Sequence, residues 1–267
     1  MPLPARLHNP DTTLMWLFNM TNHLQTTVEK VDESVGIRSN VSFDDGCLED
    51  LHVQTASQEV RLGAEPAVLK SIAETGVALA VWQRGVRNDW QAWLTQLPSQ
   101  TLPCCRLQVS LDEAIPALQA AFDASGMPLG QPRNDFVEDI AKLIEIFLTQ
   151  AACDKVQLRL DVITDNACKK WHRDCTPLRM VCTYRGPGTM WVPSDRSRQT
   201  LEKSEDEVPW ESTMKTGDVA FFKGCGWPGQ ALEGGVVHRS PSITGQGIAR
   251  LVLVLDAARE SMTRSTS

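Results

Sequence analysis

From residue 156 to residue 256 the chain is cut into apolar runs too short for stable helices. They are Val156–Ile163, Leu178–Arg185, Thr189–Val192, Asp218–Lys223, Gly235–His238 and Arg250–Asp256. Gly186-Pro187-Gly188, Gly226-Trp227-Pro228-Gly229 and Gly245-Gln246-Gly247 stand between them as turns. Glycine and proline punctuate a chain by supplying conformations that other residues resist. Many short strands between such turns predict an all-β sandwich or barrel over residues 153–257. The acidic stretch Glu202–Glu207 reads as a solvated loop, and residues 258–267 as a disordered tail.

The preceding residues have a different rhythm. Residues 66–152 read as a mixed α/β segment packing on the barrel. Gly76–Trp82 and Cys105–Ser110 read as strands, and Trp90–Leu97 as a short helix. A helix is expected over Leu111–Ala124, its regular part beginning near Pro116, since proline suits a first turn. Phe136, Ile140, Leu143, Ile144 and Phe147 trace one buried face of a helix over Phe136–Ala151. Residues 1–65 read as a helical and irregular extension. Asp11 caps a helix to about Val31, and Asp32–Gly63 forms loops.

Composition excludes some functions. The net charge of -7 argues against a general nucleic-acid binder, which needs a basic surface. No run approaches the roughly 18 apolar residues that span a membrane. The start of the chain, broken by Pro2, Pro4 and Pro10, does not read as a signal peptide, so a cytoplasmic location is expected. In that compartment the eight cysteines are expected as thiols, and without any C-x-x-C pair a structural zinc finger lacks support.

The chemistry gathers in the last third. In a strand, His172 and Asp174 project from one face, while Trp171, Arg173 and Cys175 project from the other. His238, at the end of its short run, is the one further histidine in the β region. Two imidazoles and a carboxylate fill one face of an octahedron and leave the rest open, the ligand set of non-haem Fe(II) oxygenases. The plain alternative is a surface histidine beside an ion-paired aspartate. Arg250 follows His238 by 12 positions, on a strand where Arg250, Val252, Val254 and Asp256 share a face. Its guanidinium suits a carboxylate gripped by two hydrogen bonds, or a simple strand-end ion pair.

Other residues invite weaker readings. Cys168 and Cys182 share the parity of His172 unless a turn intervenes, and a thiolate ligand would favour zinc. Cys175 reads as a core thiol facing away from the metal. Trp227 reads as a loop anchor or a lid. Arg239 suits an anionic substrate or a neighbouring carboxylate. The spacing Gly224-x-Gly226-x-x-Gly229 is not followed by a helical pattern, so it is not a dinucleotide fingerprint.

This order of an H-x-D, a distal histidine and a later arginine resembles the Fe(II)/2-oxoglutarate-dependent dioxygenase superfamily. The resemblance implies a C-terminal double-stranded β-helix (jelly roll) over residues 153–257; with the N-terminal mixed α/β extension and flanking helices read above, an α+β chain is expected. It implies Fe(II) on His172, Asp174 and His238, and 2-oxoglutarate held by Arg250 with Tyr184 or Thr183. A closer likeness covers more of the chain. Ala80-Val81-Trp82-Gln83-Arg84, Trp171-His172-Arg173-Asp174, Thr183-Tyr184-Arg185-Gly186-Pro187-Gly188-Thr189 and His238-Arg239-Ser240-Pro241 resemble the bacterial domain-of-unknown-function family 1826. That likeness implies a link to zinc metallochaperone GTPases and keeps Zn2+ as the alternative metal. Two functions are therefore expected: an oxygenase acting on an unidentified substrate with a small-molecule cosubstrate, or a non-catalytic zinc binder in metal homeostasis. Neither implies a nucleic-acid or membrane partner.

Overall fold

The computed structural model describes residues 59–258, apart from 86–87, 166–167, 204–207 and 230–234. The helix expected between Asp11 and Val31, and the tail from residue 259, lie outside the described residues.

Three helices precede the β-rich part: α1 (Asn88–Gln96), α2 (Leu111–Ala124) and α3 (Gln131–Ala151). Helix α2 begins at Leu111, not near Pro116. Its start is set by a capping box in which Glu113 accepts from the Ser110 backbone N–H at 2.9 Å. Helix α3 opens five residues before Phe136, with Pro132 in its first turn. Phe136, Ile140, Ile144 and Phe147 are fully buried, and each such side chain contributes about 1.5–3 kcal/mol relative to exposure. Arg133 ties α3 to α2 by donating to Asp123 at 2.6 Å and to the Gln119 carbonyl at 2.9 Å.

The strands are β1 (Val60–Gly63), β2 (Leu79–Trp82), β3 (Cys105–Val109), β4 (Val156–Ile163), β5 (Leu178–Arg185), β6 (Met190–Val192), β7 (Ser212–Thr213), β8 (Val219–Lys223), β9 (Val237–Arg239) and β10 (Arg250–Ala257). Seven form one sheet in the order β1-β2-β8-β5-β10-β4-β3, and three form a small sheet, β7-β6-β9. Only the β1–β2 pair in the large sheet is parallel. Strand β1 occupies a stretch read from the sequence as loop. A fourth helix, α4 (Ser194–Glu202), was also unforeseen: it has no apolar stripe and buries Ser197 and Thr200 instead.

Strand alternation gives the large sheet two different faces. Leu158 and Leu160, Met180, Cys182 and Tyr184, and Leu251, Leu253 and Leu255 join the helices in the main core. Val181, Val252, Val254, Ala220 and Phe222 form a second cluster on the opposite face. The helical side carries a buried polar clasp. Arg84 donates to both oxygens of Asp139 at 2.7 and 2.9 Å, and to the Gly217 carbonyl at 2.6 Å. Among the described residues no helix is long and apolar enough to cross a membrane.

Candidate metal centre

His172 and His238 are brought together by their backbones. The His172 N–H donates to the His238 carbonyl at 3.1 Å, and the His238 N–H to the His172 carbonyl at 2.9 Å. This isolated antiparallel bridge makes them a directly opposed pair whose side chains leave one face. The two rings lie 4.5 Å apart, centroid to centroid, and the His238 ring also packs 4.5 Å from Phe222. His238 thus sits on strand β9 of the small sheet and touches the second face of the large one.

Asp174 completes the group. One ligating atom from each of His172, Asp174 and His238 lies within 4.8 Å of the others. The Asp174 carbonyl accepts the Cys225 N–H at 2.9 Å, pinning its loop to the turn after β8. Gly224 permits that approach, because a Cβ there would collide with the carbonyls of Thr176 and Asp174. Gly224 and Gly226 therefore serve close backbone contact.

The donor set fits a divalent cation. Burial pulls the His238 pKa down to about 4, so its ring is neutral near pH 7, as a ligand must be. His172 Nδ1 lies 2.9 Å from the Lys170 carbonyl, which suits an Nδ1–H tautomer and leaves Nε2 for a metal. Asp174 Oδ2 is buried without a hydrogen-bond partner, 3.4 Å from His238 Nε2. A buried carboxylate oxygen left in this way is costly unless a cation meets it.

A cavity of about 90 Å³ opens beside the triad, and His172, His238, Thr189, Ser240 and Arg250 line it. Arg250 is 1% exposed. Its Nε donates to the Pro187 carbonyl at 2.8 Å and its Nη1 to Ser240 Oγ at 2.7 Å, while Nη2 is buried without a partner. Burial lowers its pKa to about 10, which still leaves it charged at neutral pH. A charged, buried guanidinium with an unused donor calls for an anion.

Two residues named from the sequence as possible cosubstrate contacts lie elsewhere. Tyr184 points to the opposite face of β5, 4.8 Å from Phe136 and 5.6 Å from Trp90, and its hydroxyl donates to Asp139 at 2.8 Å. The strand's alternation puts it in the helical core, which corrects that assignment. Thr183 shares a face with Val181 but does not line the cavity; Thr189 and Ser240 bring hydroxyls there instead. Cys182 also faces the helices, under Arg84, because the turn between Asp174 and β5 resets the parity counted from His172. Cys168 does line the cavity, whereas Cys175 is exposed, not a core thiol. All seven described cysteines are free. Arg239 pairs with Glu211 at 3.1 Å and stacks 4.4 Å from the Trp171 ring. Trp227 packs on the main core with Lys223 4.8 Å from its ring.

Sequence reasoning passed over Arg179. Its guanidinium lies on the cavity wall, pairs with Asp256 and contacts Asp174. The available signal was a charge inside an apolar strand.

A comparison with curated proteins gives no match. Among solved structures the chain is similar to the dioxygenase for auxin oxidation 1 from Arabidopsis thaliana, in a binary complex with 2-oxoglutarate. That similarity has 9% identity and a TM-score of 0.43, over 76% of this chain and 93% of that one. It is similar to the rice dioxygenase for auxin oxidation at 13% identity and a TM-score of 0.40, over 76% and 77%. A Pseudomonas putida prolyl-4-hydroxylase gives 11% identity and a TM-score of 0.38, over 73% and 98%. Residues 63–256 match the family model described as "Protein of unknown function (DUF1826)", and the chain belongs to that family.

Proposed function

We propose that the protein is a non-haem Fe(II) oxygenase that uses 2-oxoglutarate. The observation that carries this reading is Arg250: a buried guanidinium with an unpartnered Nη2, on the same cavity that His172 and His238 of the triad line. A zinc-handling site needs the triad but gives Arg250 nothing to hold. In this reading the two sheets are the halves of a double-stranded β-helix, and the ligands project between them.

Fe(II), once bound, supplies the oxidative chemistry. The chain's residues supply the rest. His172, Asp174 and His238 would hold the metal through one donor atom each. Arg250 holds the far carboxylate of the cosubstrate by charge-assisted hydrogen bonds, and Ser240 and Pro187 fix the direction of its fork. Val181, Val252 and Val254 form an apolar wall that limits water around the reacting groups.

The test is calorimetric titration of 2-oxoglutarate into anaerobic, Fe(II)-loaded protein. Wild type binds; Arg250→Ala loses most of that affinity and keeps its metal; His172→Ala loses both. Absence of binding to wild type, together with tight zinc binding, would replace this reading with the metal-handling one.

A further inference from the structure

Asp174 has two carboxylate oxygens, and the structure engages them differently. Oδ1 accepts from Arg179 Nη1. Oδ2 is left facing His238 Nε2 at 3.4 Å, buried and without a hydrogen bond. Arg179 is itself held from the far side. Its Nε and Nη2 donate to Oδ1 and Oδ2 of Asp256, each at 2.8 Å, across the register pair that joins β5 to β10. The result is a line of three charged groups, Asp256–Arg179–Asp174, with side-chain exposures of 11%, 18% and 4%.

We propose that Arg179 is a positioning residue that makes Asp174 a one-oxygen ligand, and that Asp256 orients Arg179 for this task. The inference rests on reading the triad as a metal site. A free carboxylate can chelate through both oxygens and occupy two coordination positions. With Oδ1 committed to a guanidinium, Asp174 offers Oδ2 alone and aims it at the point His238 also faces. The guanidinium edge that grips Asp256 is a rigid two-point contact, so Arg179 cannot swing away from Oδ1 without breaking both bonds. The charges also suit the role. Two carboxylates against one guanidinium leave one negative charge, unpaired only at the buried Oδ2 of Asp174. A lysine would carry the same charge but lacks the planar fork that holds both partners at once.

The test uses Co(II) as a redox-stable stand-in for Fe(II), with its visible absorption bands as readout. Wild type, Arg179→Gln, Arg179→Lys, Asp256→Asn and the double variant Arg179→Gln/Asp256→Asn are titrated, with His172→Ala as control and a thermal melt for each. Arg179→Gln is expected to lose roughly 10–100-fold in affinity, the range for groups that orient metal ligands, and to shift the Co(II) bands as Asp174 changes its mode of ligation. Arg179→Lys recovers part of the affinity. Asp256→Asn loses several-fold, and the double variant loses no more than Arg179→Gln, because Asp256 acts through Arg179. Wild-type affinity and bands in Arg179→Gln, or a lowered melting temperature with unchanged bands, overturn the proposal. If Arg179→Gln does not fold, Arg179→Lys and Asp256→Asn decide: wild-type bands and affinity in both also overturn it. A wild type that binds no Co(II), or His172→Ala that binds like wild type, removes the metal site itself and the proposal with it.

Discussion

Gly186 lies against the stem of Arg250: a Cβ at Gly186 would come within 2.9 Å of Arg250 Cγ. The same glycine has φ +79°, a left-handed conformation that side chains resist. Its neighbour Pro187 accepts from Arg250 Nε. The Gly-Pro-Gly turn, which reads in the sequence as a plain connection, is therefore the seat of the cavity's buried cation. Gly186→Ala is expected to destabilise the fold by about 1–3 kcal/mol through backbone strain. It should weaken 2-oxoglutarate binding in addition, while Co(II) affinity stays near wild type. Denaturant melts and the two titrations check this; equal loss for metal and cosubstrate contradicts it.

Tyr184 belongs to the clasp on the helical side, and its substitution separates the two faces of the sheet. Tyr184→Phe removes one buried hydrogen bond to Asp139, with an expected cost of about 0.5–1.5 kcal/mol and unchanged cosubstrate affinity. Asp139→Ala leaves the Arg84 guanidinium buried without its partner and should cost about 3–5 kcal/mol. Urea midpoints at constant slope measure both. A Tyr184→Phe protein of normal stability that no longer binds 2-oxoglutarate would return Tyr184 to the site.

Cys182 is fully buried, and burial pushes its thiol pKa up to about 11. Alkylation of the native protein at pH 8 should modify exposed Cys104, Cys168 and Cys175 and spare Cys182 until denaturant is added. The pH dependence follows in sign. The folded pKa is raised, so the contribution is fully present below the unfolded value near 9 and is lost as pH rises through about 11. The wild type should therefore lose stability between pH 9 and pH 11 relative to Cys182→Ala. Early mass-spectrometric labelling of Cys182 would contradict its placement.

The site was legible where chemistry restricts the choice of residue. Few side chains serve as metal ligands, so His172, Asp174 and His238 stood out by type and order, as did Arg250. What stayed hidden depends on parity and partners. The face that Tyr184 and Cys182 occupy follows from where β5 begins, and the turn before Leu178 is irregular. Arg179 was hidden because an isolated arginine in a strand does not announce its partners, and those lie 5 and 77 positions away. Helix α4 lacks the apolar periodicity by which helices are recognised, whereas α3 displays it over five residues.

The two faces of strand β5 have different obligations. Met180, Cys182 and Tyr184 answer to the helices, and Arg179 and Val181 answer to the cavity. Adjacent codons thus serve constraints that scarcely overlap. A substitution at Arg179 or Val181 therefore reaches the cavity wall and the second apolar cluster, while the packing of Met180, Cys182 and Tyr184 against the helices stays as it is.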